Sequence, residues 1–283
     1  MQPHRSFAHL KNRDRDTYLR LTRATFLPIF FPTMLPTIRT VTVLIGSVAL
    51  ITASNLVALD SGTPPSASTT SLSLDQVVDN LVRKNQERAR ALMHSEGTRV
   101  YRLAYRGFPS DRDAEMTVKA TFDSPSSKEF KVVSESGSKL ILNRVFKKLL
   151  EGEKEAAQPA VSARSQLNRD NYTFALVGYE PSSTGGQYVL QVSPKSRSKY
   201  VYQGKVWVDG VDFAVTHIEV EPGQNPSFWT KKSEIRHEYK KVGAFWLPAR
   251  NESVSYIRLG GRATLTIEYK DYHVSEAGPQ SGR

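Results

Sequence analysis

Residues 200–249 read YVYQGKVWVDGVDFAVTHIEVEPGQNPSFWTKKSEIRHEYKKVGAFWLPA, and their alternation decides the fold class. Val206-Trp207-Val208 runs into Asp209-Gly210, a short-range hairpin signal. A second strand, Phe213 to Val220, leads into the turn Glu221-Pro-Gly-Gln-Asn-Pro, and Lys232 to Lys241 alternates again before Val242-Gly243. With Gly210-Val211 as a two-residue loop, Val208 faces Phe213 and Val206 faces Val215. With Asp209-Gly210 as the loop, the pairs become Val208–Val211 and Val206–Phe213. Both registers place Tyr200, Tyr202, Val206, Val208, Phe213 and Val215 on one face, because a two-residue slip preserves parity; an odd-length loop would break it. Gln203, Lys205, Asp212 and Thr216 mark the wet face.

The rest of the chain extends this pattern. After Leu72, the stripe Leu74, Val77, Val78, Leu81, Val82, Ala89 and Leu92 predicts a helix reaching His94, with Ser73 as N-cap and Asp75 in the first turn. From Gly97 the period becomes two. Tyr101, Leu103 and Tyr105 form one strand, Met116, Val118 and Ala120 a second, Phe130 and Val132 a third, with turns at Pro109-Ser-Asp and Asp123-Ser-Pro. Leu142, Val145, Phe146, Leu149 and Leu150 then predict an amphipathic helix over 140–154, followed by a loop and short helix over 156–168. Strands resume at Tyr172 and Tyr188, and a last hairpin spans Asn251 to His273. With Gly260-Gly261 as its loop, Tyr256 faces Leu265 and Val254 faces Ile267, leaving Ser253, Ser255, Thr264 and Glu268 outside. The expected fold is mainly β (α+β): about ten antiparallel strands, too many to stay flat, curled into a half-open barrel with helices covering its concave face.

The first 71 residues do not look globular. Residues 1–33 are basic and irregular, an N-terminal extension or an upstream start mis-assigned before Met34. Arg39 precedes the apolar run Val41–Ala53, the pattern of a signal peptide or N-terminal anchor over 34–58. Residues 59–71 are a flexible linker, 72–274 the folded domain, and 275–283 a polar, disordered tail.

The formal charge is +11, from 39 Lys/Arg against 28 Asp/Glu, and suits acidic partners such as anionic lipid. No basic helix or nucleic-acid motif accompanies it, so nucleic acid is not an expected partner. With no cysteine, the chain forms no disulfide or thiolate site and lacks the lipid-attachment cysteine that follows a lipoprotein signal peptide, so it is not expected to be a lipoprotein itself. His94, His217, His237 and His273 are scattered one to a segment, without metal-ligand spacing. No nucleophile elbow, Walker loop or dinucleotide fingerprint occurs. The expectation is therefore a protein with no catalytic residues, no metal and no cofactor.

The chain instead concentrates apolar side chains on one sheet face. That face is either ordinary core beneath the two helices or a pocket that takes apolar chains by area burial. The candidate cavity residues are Tyr101, Leu103, Tyr105, Met116, Val118, Phe130, Phe146, Tyr202, Val206, Val208, Phe213, Val215, Tyr256, Leu265 and Ile267.

The succession of VWVD, DFAV, NPSFW and KVGAFWLPA resembles the outer-membrane lipoprotein-sorting family, the carriers of LolA/LolB type with the related sensor MucB/RseB, over roughly residues 72–274. The resemblance implies a helix-covered, unclosed barrel and a periplasmic, monomeric, non-catalytic carrier or binder of lipid or lipoprotein acyl chains. The alternative is an envelope-stress sensor or interaction module of the same fold that contacts a membrane-protein partner. The chain departs from the carriers after its third strand, where Ser136-Gly137 and a helix replace a short Asp-Gly turn and a Trp-containing strand. Carriers also hold the lid with an arginine near the first strands; Arg99, Arg102 and Arg106 are the candidates by position.

Overall fold

The computed structural model describes residues 72–182, 185–225, 228, 230–258 and 260–276. The extension, the signal or anchor segment, the linker through residue 71 and the tail from residue 277 lie outside the described residues.

Chain order explains the architecture. Helix α1 (Leu74–Ala91) is followed by β1 (Leu92–Gly107), β2 (Arg112–Asp123) and β3 (Ser127–Gly137). A helical insertion comes next: α2 (Lys139–Ile141), a π-helical turn (Leu142–Phe146), α3 (Lys147–Ala157) and α4 (Pro159–Ser165). The chain then runs through β4 (Tyr172–Glu180), β5 (Gln187–Pro194), β6 (Tyr202–Asp209), β7 (Val215–Pro222), β8 (Thr230–Val242), β9 (Phe245–Ile257) and β10 (Gly261–Glu276). These ten strands form one antiparallel sheet, ordered β3-β2-β1-β10-β9-β8-β7-β6-β5-β4. Two meanders are thus joined by the long β1–β10 ladder. The sheet curls but does not close: β3 and β4, consecutive in the chain, are its opposite edges. The insertion between them must cross from one edge to the other. The expected half-open barrel of ten strands is what forms, with the second helical unit after the third strand.

Each helix follows from local chemistry. Ser73 caps α1 through a capping box: its Oγ accepts from the Gln76 N–H, while Gln76 Oε1 accepts from the Ser73 N–H at 2.9 Å. Val77, Val78 and Leu81 face the sheet. The helix ends at Ala91 rather than His94, and β1 starts at Leu92 rather than Gly97. Backbone pairing of Leu92 with Glu276 and of His94 with Asp123 captures this segment, overriding the helical stripe. In the insertion, Ile141, Val145, Leu149 and Glu153 are all buried, as are Leu142, Phe146 and Leu150. A strict four-residue spacing drifts on a helix of 3.6 residues per turn. The π-helical turn, with the Lys147 N–H bonded to the Leu142 carbonyl, adds width where that drift would carry the stripe off the sheet.

Two apolar clusters share the concave side. One packs α1 against β4–β8 and includes Val77, Leu81, Leu190, Val206, Ile218 and Ile235. The other packs the insertion against β1, β2 and β10 and includes Tyr101, Met116, Phe146, Leu265 and Ile267.

Both predicted hairpin registers require correction. Val206 pairs with Ile218 and Val208 with Val215, with a bulge beside Trp207. Asp209 closes a wider turn instead, its N–H bonding the Ala214 carbonyl and its Oδ1 accepting from the N–H groups of Val211 and Asp212. The bulge restores the apolar face, so Val206, Val208, Val215 and Ile218 are all buried. No such repair occurs in the last hairpin. Tyr256 pairs with Arg262, Ser253 with Leu265 and Asn251 with Ile267. An odd number of loop residues inverts the expected face, so Ser253 and Ser255 point inward and Tyr256 is 38% exposed. β10 also continues through Glu276, past the expected start of the tail at residue 275.

Candidate functional site

The seam between the two clusters holds the polar chemistry of the interior. The inward positions of β9 are Asn251, Ser253 and Ser255, and facing them on β8 are Ser233 and His237, all buried. Ser233 and Ser255 share a hydrogen bond of 2.8 Å. His237 Nδ1 bonds the Tyr239 hydroxyl at 3.1 Å, while His237 Nε2 and Ser253 Oγ are buried without a hydrogen-bond partner in the structure. Burial holds the His237 pKa down at about 3; Arg99 and His217 reinforce this and Glu153 opposes it. The ring is neutral at physiological pH.

Next to this strip lies a buried ion cluster. Glu153 on α3 accepts from Arg99 Nη1 of β1 at 2.6 Å and from the Tyr101 hydroxyl at 3.1 Å. Lys128 Nζ of β3 lies 3.5 Å from the same carboxylate. The Arg99 guanidinium sits over the rings of Phe130, at 5.2 Å, and Tyr269, at 5.1 Å. Burial pulls the Arg99 pKa down, but Glu153 more than offsets it and the guanidinium stays charged. Burial would raise the Glu153 pKa, yet Arg99, Lys128 and the hydrogen bond from Tyr101 hold it below the usual carboxylate value. Lys128 loses the same contest: burial, helped by Arg99, pushes its pKa well below the normal lysine value. The cluster pins the insertion to β1 and β3.

Above the seam the helical units leave a part-open cavity of about 210 Å³. Val82 and Ala89 of α1 form one wall, Ala156 of α3 and Leu167 after α4 another, with Val215, Phe245, Trp246 and Pro248 at the strand ends. Arg99, Lys128, Gln166, Tyr239 and Tyr272 bring polar groups to a lining that is mostly apolar. For scale, an apolar cavity of about 150 Å³ accommodates benzene. The α1 wall is clamped at both ends. Arg169 pairs with Asp75 and Asp79 at its start, and Arg88 near its end donates to the carbonyls of Asp212 and Phe213.

The candidate cavity residues fall into three places. Tyr101, Leu103, Met116, Val118, Phe146, Leu265 and Ile267 are brought together in the cluster under the insertion, with Tyr105 and Phe130 at its margin. Tyr202, Val206, Val208 and Val215 sit in the cluster under α1, with Phe213 packed against it. Of these residues, Val215 also lines the cavity. Tyr256 belongs to neither and lies on the outer face. Among the three candidate arginines, Arg99 points inward, whereas Arg102 pairs with Glu115 and Glu268, and Arg106 with Asp113, on the outside.

Sequence reasoning passed over Glu153 and Lys128, although a signal was present. Glu153 continues the four-residue stripe of Val145 and Leu149, and Lys128 shares the parity of Phe130. A charge on an apolar face marks a buried partner. Among the described residues, no group of His, Asp and Glu side chains is placed to hold a metal ion, and no helix is long and apolar enough to cross a membrane.

No protein-family model matches the chain, and no curated protein sequence matches it. Solved structures with a similar fold include an outer membrane lipoprotein-sorting protein domain from Vibrio parahaemolyticus, 12% identical, TM-score 0.40, covering 74% of this chain and 94% of that one. A LolA superfamily protein from Nitrosomonas europaea is 11% identical, TM-score 0.34, covering 74% and 96%. The Pseudomonas aeruginosa MucA/MucB complex is 9% identical, TM-score 0.23, covering 71% and 99%. These are likenesses of fold.

Proposed function

We propose that the protein is an exported, periplasmic binder of lipid or lipoprotein acyl chains, acting without a covalent step or cofactor. The observation that carries this reading is the mostly apolar cavity of about 210 Å³ at the seam of two separately packed helical units over an unclosed sheet. Such a seam can widen without unpairing strands, because the clusters on either side have no residue in common. Burying apolar chain surface there is favourable by about 25 cal/mol per Å². At about 210 Å³ the cavity takes a short stretch of chain, so a full acyl tail requires the helical units to part. Export is supported by the basic-then-apolar pattern of residues 34–53.

Trp246 lines the cavity and donates to Asp212 Oδ2 at 2.9 Å, so it is a built-in reporter. Titrating the full chain with monoacylglycerols of increasing chain length should change tryptophan emission saturably and raise Tm, and Trp246→Phe should remove the emission change. Unmoved emission and Tm across the series would sink the reading.

The interaction-module reading has its own observation. Both edge strands expose apolar side chains: Val132 and Val133 on β3, Leu176, Val177 and Tyr179 on β4. An extended segment of a membrane-protein partner could add to either edge by strand pairing. Native mass spectrometry of the protein from an envelope fraction separates the two readings, by a lipid-sized or a protein-sized mass increment.

A further inference from the structure

We propose that the outward face of the helical insertion is a docking surface for an anionic lipid bilayer, held there by lysine and arginine side chains that have no carboxylate partner within the domain. The inference concerns the outside of the insertion. It adds to the acyl-binding reading the surface at which a chain is met, and it does not depend on that reading. Three observations carry it.

The first is the composition of the face. Lys139, Arg144, Lys147 and Lys154 are exposed and Lys148 is half-buried, recurring at helical spacing opposite the buried stripe of Ile141, Val145, Leu149 and Glu153. Glu151 and Glu155 are the exposed carboxylates of the same stretch, so the outward face carries five positive charges against two negative. The second is how those charges are placed. Among the described residues, none of the five cations is paired with a carboxylate, and Glu155 is already held by Lys199 at 3.1 Å. Lys147 bonds the neutral side chain of Asn143 at 2.8 Å. On the outer face of the sheet, by contrast, Arg102, Arg106, Lys232, Arg236, Arg250 and Lys270 each hold a carboxylate. Like charges along one helix face destabilise it unless an anionic surface lies against them. The third is position. The same insertion walls the cavity with Ala156 on its inner side, and Leu140, 42% exposed, lies among the outward cations.

The shape of the patch selects the partner. From Lys139 to Lys154 the cations spread over about 20 Å of helix, too far apart to converge on one small anion and suited to an extended negative surface. Each Lys or Arg near an anionic bilayer strengthens attachment roughly fivefold. Long basic side chains reach the headgroups while their methylene stems, with Leu140, rest at the interface. Docked in this way, the insertion lies between the bilayer and the cavity that it walls.

The test uses the full chain in three forms: wild type, an insertion variant (Lys139→Gln, Arg144→Gln, Lys147→Gln and Lys154→Gln), and a control that removes four exposed cations from the strands (Lys119→Gln, Lys205→Gln, Lys231→Gln and Arg262→Gln). Each is floated with vesicles of phosphatidylcholine alone or with about 30% phosphatidylglycerol. Wild type should partition roughly tenfold or more better onto the phosphatidylglycerol vesicles, and should lose that preference as salt rises from about 50 to about 300 mM. The insertion variant should lose roughly tenfold or more on those vesicles, while the strand control stays within about threefold of wild type. All three forms share residues 1–71, so any attachment through that segment cancels in the comparison. Because the chain has no cysteine, Leu140→Cys accepts a single polarity-sensitive fluorophore; it should brighten on phosphatidylglycerol vesicles, and the same label at Lys205→Cys should not. Equal losses in the two variants, no loss in the insertion variant, or an unchanged label at position 140 each overturn the docking surface. A wild type with no preference for phosphatidylglycerol overturns it too. The acyl-binding reading is measured separately by Trp246 emission with monoacylglycerols, so either can fail while the other stands.

Discussion

Replacing Glu153 by Gln tests whether the ion cluster holds the insertion in place. The carboxylate is 1% exposed and receives Arg99 at 2.6 Å, Tyr101 at 3.1 Å and Lys128 at 3.5 Å. The amide keeps the size and one acceptor oxygen but removes the charge, so the buried Arg99 loses the carboxylate it pairs with. Breaking a buried pair from one side costs about 3–5 kcal/mol. For a domain of this size each kcal/mol lowers Tm by about 2–4 °C, so a fall of roughly 6–20 °C is expected at pH 7. The companion double variant, Arg99→Met with Glu153→Leu, removes both charges and fills the space with apolar atoms; Lys128 remains and can stay neutral. It should recover more than half of the loss. Thermal melts followed by circular dichroism, with urea titrations for ΔG, measure both. A Glu153→Gln protein melting within about 2 °C of wild type would refute the reasoning, because the cluster would then be hydrated rather than buried. A double variant less stable than the single would refute the claim that the cost lies in breaking the Arg99–Glu153 pair from one side.

Other perturbations probe other parts of the interior. His237 has a folded pKa of about 3 against an ordinary 6.5, so the unfolded chain takes up a proton that the native state excludes. Its contribution is complete above pH 6.5 and is lost as pH falls toward 3; stability should drop by up to about 1.4 kcal/mol per pH unit there, and His237→Phe should flatten that slope in urea titrations between pH 4 and 8. An equal slope in the variant would show that the ring is not buried neutral. Phe146 is fully buried, with its ring centroid 5.9 Å from that of Tyr101, so Phe146→Ala should cost about 3–5 kcal/mol in equilibrium unfolding. The last hairpin's register gives a sharp contrast. Tyr256→Ser should change stability by no more than about 0.5 kcal/mol, whereas Ser255→Tyr, which forces a ring into the seam, should cost at least about 1–3 kcal/mol; the reverse order would restore the register expected from the glycine pair.

The two hairpins show where pattern reading succeeds and where it fails. In the first, the expected pairs were displaced, yet the buried set survived because a bulge beside Trp207 repaired the parity. In the second, Val254 and Tyr256 outweighed Ser253 and Ser255 on hydrophobicity, and the true face is the reverse. One residue argued for the correct answer: Glu252 shares parity with Val254 and Tyr256 and is a charge on the supposedly inward face. It carried too little weight against an aromatic ring.

Alternation and turn chemistry alone established ten strands, a capped N-terminal helix and a helix after the third strand, because those signals are local and repeat along the chain. The α1 capping box needs only Ser73 and Gln76, three residues apart. What sequence did not decide was which strands meet and what lies between the helices. The β1–β10 ladder joins residues more than 150 positions apart. That ladder makes β3 and β4 the two edges and sends the insertion across the concave side. Only then do Arg99 of β1 and Lys128 of β3 come within 4 Å of the Glu153 carboxylate on α3, and only then does a cavity exist. Periodicity assigns a side chain to a face; it carries no information about the partner opposite, which long-range packing alone supplies.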